Sequence, residues 1–176
     1  MRTRYKIYDK ESVYFITSTI IDWHEIFRNN ILCQILIDAL TFKRSETKLK
    51  IFAYVIMPNH IHLILSSNNI IKFVKDFKSY TARKIIDVLK VNKEELILNK
   101  FLERKKLYKT SSTYQVWQEG FHPEMIFKME MFLQKAEYIH NNPVRKGLVS
   151  KPEDWKYSSA TNYFLGKGVL EIDSLL

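Results

Sequence analysis

A single cysteine, Cys33, is present in the 176-residue chain, so no internal disulfide can form and a reducing cytoplasm is the expected setting. Glycine and proline are scarce, four of each, which excludes a loop-rich or low-complexity chain. Long apolar runs are missing as well. The stretch from Ile31 to Phe42 is interrupted by Gln34 and Asp38 and falls short of the roughly 18 to 20 residues that a membrane span needs. The basic start, Met1-Arg-Thr-Arg-Tyr-Lys6, leads into a β-type alternation and not into an apolar segment with a cleavage site, so no signal peptide is expected. Acidic residues are in deficit, with 28 Lys and Arg against 19 Asp and Glu leaving +9, and such an excess on a small domain points to a polyanion, nucleic acid first.

What is present is a foldable chain. Apolar residues make up 46% and aromatics 14%, far from a disordered composition, and the length suits one domain over residues 1–176. Ser12 to Ile20 alternates β-branched and aromatic residues as a strand does. Ile31, Leu32, Ile35, Leu36, Ala39 and Leu40 then mark a helix between Arg28 and Ser45. Leu49 to Met57 and His60 to Ser66 are two apolar runs separated by Pro58-Asn59, which predicts an antiparallel hairpin. Asn69 can cap a helix with Ile70, Phe73, Val74, Phe77, Tyr80, Ile85 and Leu89 inside and lysines outside. From Lys72 to Lys109 twelve Lys and Arg face five acids, +7 of the chain's +9.

Val91 to Ser112 is charged and weakly periodic, a helical excursion or a long loop, before a short strand expected at Thr113 to Gln118. Pro123 suits a first helical turn, and the helix it opens is expected to stop before Pro143, leaving an irregular tail from Val144. The order strand, helix, strand, strand, helix, strand, helix predicts an α/β (α+β) domain. Its architecture would be a ferredoxin-like or RNA-recognition-like sandwich, one antiparallel sheet with helices on one face.

His60 and His62 stand two apart on a strand, so both imidazoles point to one face roughly 6 to 7 Å apart and can reach one divalent metal. The other reading is two solvent-facing histidines at the start of a strand. Tyr138 and Asn142 share one side of the last helix, and packed beside the hairpin Asn142 would complete a His, His, amide site while Tyr138 faces the bound substrate. Such a ligand set suits Mg²⁺ or Mn²⁺ acting on a phosphoryl group, with Lys135 or Arg145 helping to form the phenolate. The alternative for Tyr138 is an amphipathic aromatic that closes a helix.

Four blocks carry a family resemblance. Tyr54-Val-Ile-Met-Pro-Asn-His-Ile-His-Leu-Ile-Leu65, Val116-Trp-Gln-Glu-Gly-Phe-His122, Tyr138-Ile-His-Asn-Asn-Pro-Val-Arg-Lys-Gly-Leu-Val149 and Trp155-Lys-Tyr-Ser-Ser159 resemble the REP-associated tyrosine transposases. These are relatives of the single-tyrosine IS200-like transposases within the HUH endonuclease superfamily. The resemblance implies that His60 and His62 bind the divalent metal, that Asn142 is the third ligand, and that Tyr138 is the nucleophile. It further implies attack on a single-stranded DNA phosphodiester at palindromic repeat (REP) hairpins, giving a 5′-phosphotyrosine and a free 3′-OH for DNA transposition or recombination.

On this reading Lys72, Lys75, Lys78, Arg83 and Lys84 track phosphates, Trp117 and Phe121 stack on splayed bases, Arg145 adds charge, and Arg2, Arg4 and Lys6 form a basic arm. The segment from Val91 to Ser112 is longer and more Lys-rich than in compact members, and Lys146 replaces a small residue. Monomer and homodimer both remain open. Two other functions compete. One is a domesticated, non-catalytic DNA- or RNA-binding module on the same fold, and the other is a hydrolase using metal-activated water.

Overall fold

The computed structural model describes residues 12–105, 112–121 and 123–175. The basic arm with Arg2, Arg4 and Lys6 lies outside the described residues. The alternating segment forms β1, Val13–Thr19, and the Pro58-Asn59 connection joins β2, Lys50–Met57, to β3, His60–Ser66, with Met57 opposite His60. Between them runs α1, Asn30–Glu46. After β3 the Asn69 side chain accepts from the Lys72 N–H and starts α2, Ile70–Val91, as its sequence predicts. Tyr80 departs from that pattern. It is exposed on α2, and Thr81 takes the buried position with its hydroxyl donating to the Phe77 carbonyl. The ambiguous charged segment contains a helix, α3, Glu95–Glu103, anchored by Leu98 and Phe101.

Two expectations near the fourth strand are corrected. Residues 113–118 make only an isolated bridge, Ile20 with Trp117, and the strand is β4, Glu124–Ile126, paired with β1. Pro123 therefore precedes a strand and opens no helix. Its missing N–H costs nothing at a strand boundary. The last long helix, α4, spans Met129–Arg145 and continues through Pro143. Only two helical residues follow the proline, and the chain then leaves through Gly147 at a φ of 66°, with the Leu148 N–H returning to the Pro143 carbonyl. A short α5, Ala160–Leu165, completes the elements.

The sheet is antiparallel in the order β2-β3-β1-β4, the ferredoxin-like arrangement. The fold class is as expected, but the helices are not confined to one face. Tyr14, Ile16, Ile56, Ile61 and Leu63 pack with α1 and α2, whereas Phe15, Val55 and Ile64 pack with Phe132, Ala136 and Ile139 of α4. Burial on both faces is why β2 and β3 read as continuous apolar runs. The free edge of β2 is covered by the tail. Ile56 N–H donates to the Tyr157 carbonyl, the Trp155 indole to the Ile56 carbonyl, and Ile51 N–H to Asp173, which also pairs with Arg44 at 3.0 Å. Among the described residues no helix is long and apolar enough to cross a membrane.

Candidate active site

Period-two alternation on β3 puts His60 and His62 on the α4 face of the sheet, their ring centroids 4.6 Å apart. Both are buried, 9% and 5% exposed. Each has its Nδ1 occupied. His60 Nδ1 lies 2.6 Å from Asn59 Oδ1, and His62 Nδ1 lies 2.7 Å from Thr17 Oγ1 on the neighbouring strand, where Thr17 and His62 are register partners. The Asn59 amide nitrogen donates to the Trp23 carbonyl, so its oxygen faces His60 and accepts, leaving the lone pair of His60 on Nε2. His62 Nε2 is buried with no hydrogen-bond partner.

Burial and the nearby Lys146 ammonium lower the His60 imidazole to about 4. Burial, then His60 and Lys135, lowers His62 to about 3. Both rings are therefore neutral at pH 7, the form in which imidazole ligates a metal. A buried, unpartnered Nε2 is costly unless something takes its lone pair, and fixing the other ring nitrogen by a neighbouring oxygen is how ligating histidines are oriented. The two histidines fit a divalent cation. Among the described residues there is no group of three or more His, Cys, Asp or Glu suited to a metal, so a further protein ligand has to be an amide, a hydroxyl or a carbonyl.

α4 brings Tyr138 to this place. Its ring meets His62 edge to face at 5.4 Å between centroids and Phe15 at 6.2 Å, while the residue stays 38% exposed and open to a polymer in solution. The Arg145 guanidinium lies 5.7 Å from the Tyr138 ring centroid. Lys135 sits 4.8 Å from the Phe15 centroid and pairs with Glu124 at 2.7 Å. Asn142, one turn beyond Tyr138, is buried at 6% exposure, and its carbonyl accepts from the Lys146 N–H. No described hydrogen bond joins its amide to either imidazole. Phe15, Thr17, Asn59 and Trp23 are the neighbours that sequence reasoning missed. The β1 alternation carried a signal for Thr17, because it shares the face of Phe15.

The predicted DNA contacts divide. Lys75, Arg83 and Lys84 are exposed on α2, and Lys72 is exposed while paired with Asp76 at 2.7 Å. Lys78 is half-buried and donates to the Gln118 and Gly120 carbonyls, 3.0 and 2.5 Å away. Trp117 is no stacking platform. It is 5% exposed, wedged between Phe27 and Phe77, with its indole N–H donating to Thr81 Oγ1 at 3.0 Å. Phe121 packs partly buried against the same core. α2 also lies across the sheet from His60, His62 and Tyr138, so its cations line a separate surface.

The model of the family described as Transposase IS200 like matches residues 12–142, three quarters of the chain, and takes in His60, His62, Tyr138 and Asn142. A Haemophilus influenzae protein named, provisionally, a REP-associated tyrosine transposase is 28% identical over 110 residues. That match covers 61% of this chain and 56% of the relative, so little more than half of the relative's length is spanned. A solved structure of a REP-associated tyrosine transposase bound to a REP hairpin superposes over 100% of this chain and 94% of its own, with a TM-score of 0.69 and 17% identity, and shares the fold.

Proposed function

Because the chain belongs to the family of IS200-like transposases, we propose that it is a metal-dependent single-stranded DNA endonuclease and strand transferase acting at palindromic repeat hairpins. The observation that carries this reading is the Tyr138 ring set against His62, whose buried Nε2 has no other partner. Tyr138 is the nucleophile. Its phenolic oxygen forms a bond to phosphorus as the bond from phosphorus to the 3′ oxygen breaks. The leaving oxygen takes up a proton as a 3′-OH, and the 5′ phosphate stays on the tyrosine. The phosphodiester bond energy is conserved in that link, so reversal by another 3′-OH rejoins DNA without a nucleotide cofactor.

His60 and His62 would hold Mg²⁺ or Mn²⁺ through Nε2, with Asn142 as the third ligand. Once bound, the ion neutralises phosphoryl charge and polarises the scissile group. Thr17 and Asn59 keep the two rings from turning, and burial keeps both neutral. Arg145, over the ring of Tyr138, favours the developing phenolate and the anionic phosphoryl group. The exposed edge of Tyr138 admits the strand, and Phe15 walls one side of the ring.

Labelled hairpins from palindromic repeats near the gene, incubated with Mg²⁺ or Mn²⁺ and separately with EDTA, test this. A denaturation-resistant protein–DNA adduct is expected with metal, absent with EDTA and absent in Tyr138→Phe. Binding of every hairpin without any adduct would overturn the reading in favour of a non-catalytic binding module. Cutting that survives Tyr138→Phe would indicate a hydrolase.

A further inference from the structure

One aromatic residue close to the histidines has no part in the reaction just described. Trp23 follows β1 and is 59% exposed, although an indole is the largest apolar side chain the fold can bury. Asp22 and Trp23 both adopt left-handed backbone angles, φ 50° and 59°, which non-glycine residues avoid. Two such residues in succession persist only where the surroundings hold them, and such strain clusters at ligand-binding positions.

The surroundings are well defined. Asp22 pairs with Arg104 beyond α3 at 2.5 Å. The Trp23 N–H donates to the Ile20 carbonyl at 3.1 Å. The Trp23 carbonyl accepts from the Asn59 amide, and the other end of that same amide holds His60. One side chain thus sets the position of Trp23 and the rotation of His60 together. The Trp23 and His60 rings meet edge to face at 6.3 Å between centroids, so the largely exposed indole lies directly beside the site.

We propose that Trp23 is the stacking platform for an unpaired base of the DNA strand next to the phosphate held at His60 and His62. This rests on the proposed reading of the site as one that takes single-stranded DNA. A single strand bound along its backbone leaves bases unpaired beside the phosphate, and a base removed from its stack regains that energy on an aromatic face. An indole accepts any base, so Trp23 contributes affinity and register and leaves sequence choice to other groups. Its coupling through Asn59 makes the distance from stacked base to phosphate a fixed one.

The test separates bases from charge and needs no chemistry. In a Tyr138→Phe background with EDTA, affinities are measured for a twenty-residue oligothymidylate and for an abasic strand of equal length. The Trp23-bearing protein is expected to prefer the strand with bases by about tenfold, within the range that stacking on one aromatic supplies. Trp23→Ala is expected to lose that preference while keeping its affinity for the abasic strand, and Trp23→Phe to keep part of it. Quenching of tryptophan fluorescence by the oligothymidylate is expected to vanish in Trp23→Phe, since Trp117 is buried in the core and the half-buried Trp155 is held on the β2 edge by its bond to the Ile56 carbonyl.

A preference that persists in Trp23→Ala would overturn the proposal, as would no preference in the Trp23-bearing protein, or equal loss of both strands. None of these outcomes depends on whether an adduct forms. Failure of the strand-transfer reading therefore shows in the adduct experiment alone.

Discussion

Thr17 Oγ1 lies 2.7 Å from His62 Nδ1 across the β1–β3 pair, and this contact joins the two middle strands at the point where the site forms. Oriented ring nitrogens bind metal better than free ones, by roughly 10- to 100-fold when the orienting partner is mutated. Thr17→Val keeps the shape and removes the oxygen. Titration with Mn²⁺ is expected to show affinity reduced by about that factor, with Thr17→Ser close to the parent. Unchanged affinity in Thr17→Val would mean that His62 does not bind the ion.

The same burial governs acid stability. His60 and His62 are held near 4 and 3, and burial lowers His140, which bonds Ser159, to about 4, against an ordinary value of 6.5. Between those values the unfolded chain binds protons that the native one refuses, so stability is complete above about pH 6.5 and declines as pH falls. Each imidazole contributes a slope of about 1.4 kcal/mol per pH unit inside its window. In metal-free protein the thermal midpoint is expected to drop steadily from pH 6.5 toward 4. A midpoint that stays level across that interval would contradict the buried, neutral state.

Lys75, Arg83 and Lys84 project from α2 on the face opposite Tyr138. Replacing all three with alanine is expected to weaken hairpin binding and to flatten the plot of log affinity against log salt by between about 2 and 3 units. Adduct formation at saturating DNA is expected to stay within about twofold of the parent, because these cations act on occupancy and not on the reacting phosphate. A fall in the saturated rate with an unchanged salt slope would place them at the site instead.

Trp117→Phe separates packing from recognition. Losing the indole contact with Thr81 and part of the buried ring volume is expected to cost about 1 to 3 kcal/mol in denaturant unfolding. DNA affinity of the folded variant is expected to be unchanged, whereas a base-stacking role would lower it by about tenfold or more.

Much of this molecule is legible from local pattern. The Pro58-Asn59 hairpin, the Asn69 cap and the shared face of His60 and His62 depend on residues adjacent in sequence, and all three are found in the structure. β4 was not legible, because three residues flanked by Pro123 and the exposed Phe127 carry no periodicity. The extension of α4 through Pro143 was hidden because a proline removes the bond to the carbonyl four residues back and so reads as a stop, whereas here the helix runs two residues further, to Arg145. The covering of both sheet faces did leave a trace. Ile51 to Met57 is apolar at every position, where a one-sided strand would alternate. The roles of Thr17 and Asn59 depend on pairing across strands, which no single segment encodes.

The site draws on residues as distant in the chain as Thr17 and Tyr138, with the histidine pair between them and a covered β2 edge closing the sheet behind. A chain still emerging from the ribosome, or one clipped before α4, carries the same histidines with no tyrosine to meet them. The meeting of the tyrosine with the histidine pair is thereby tied to completion of folding, since it waits for the last long helix to reach the sheet.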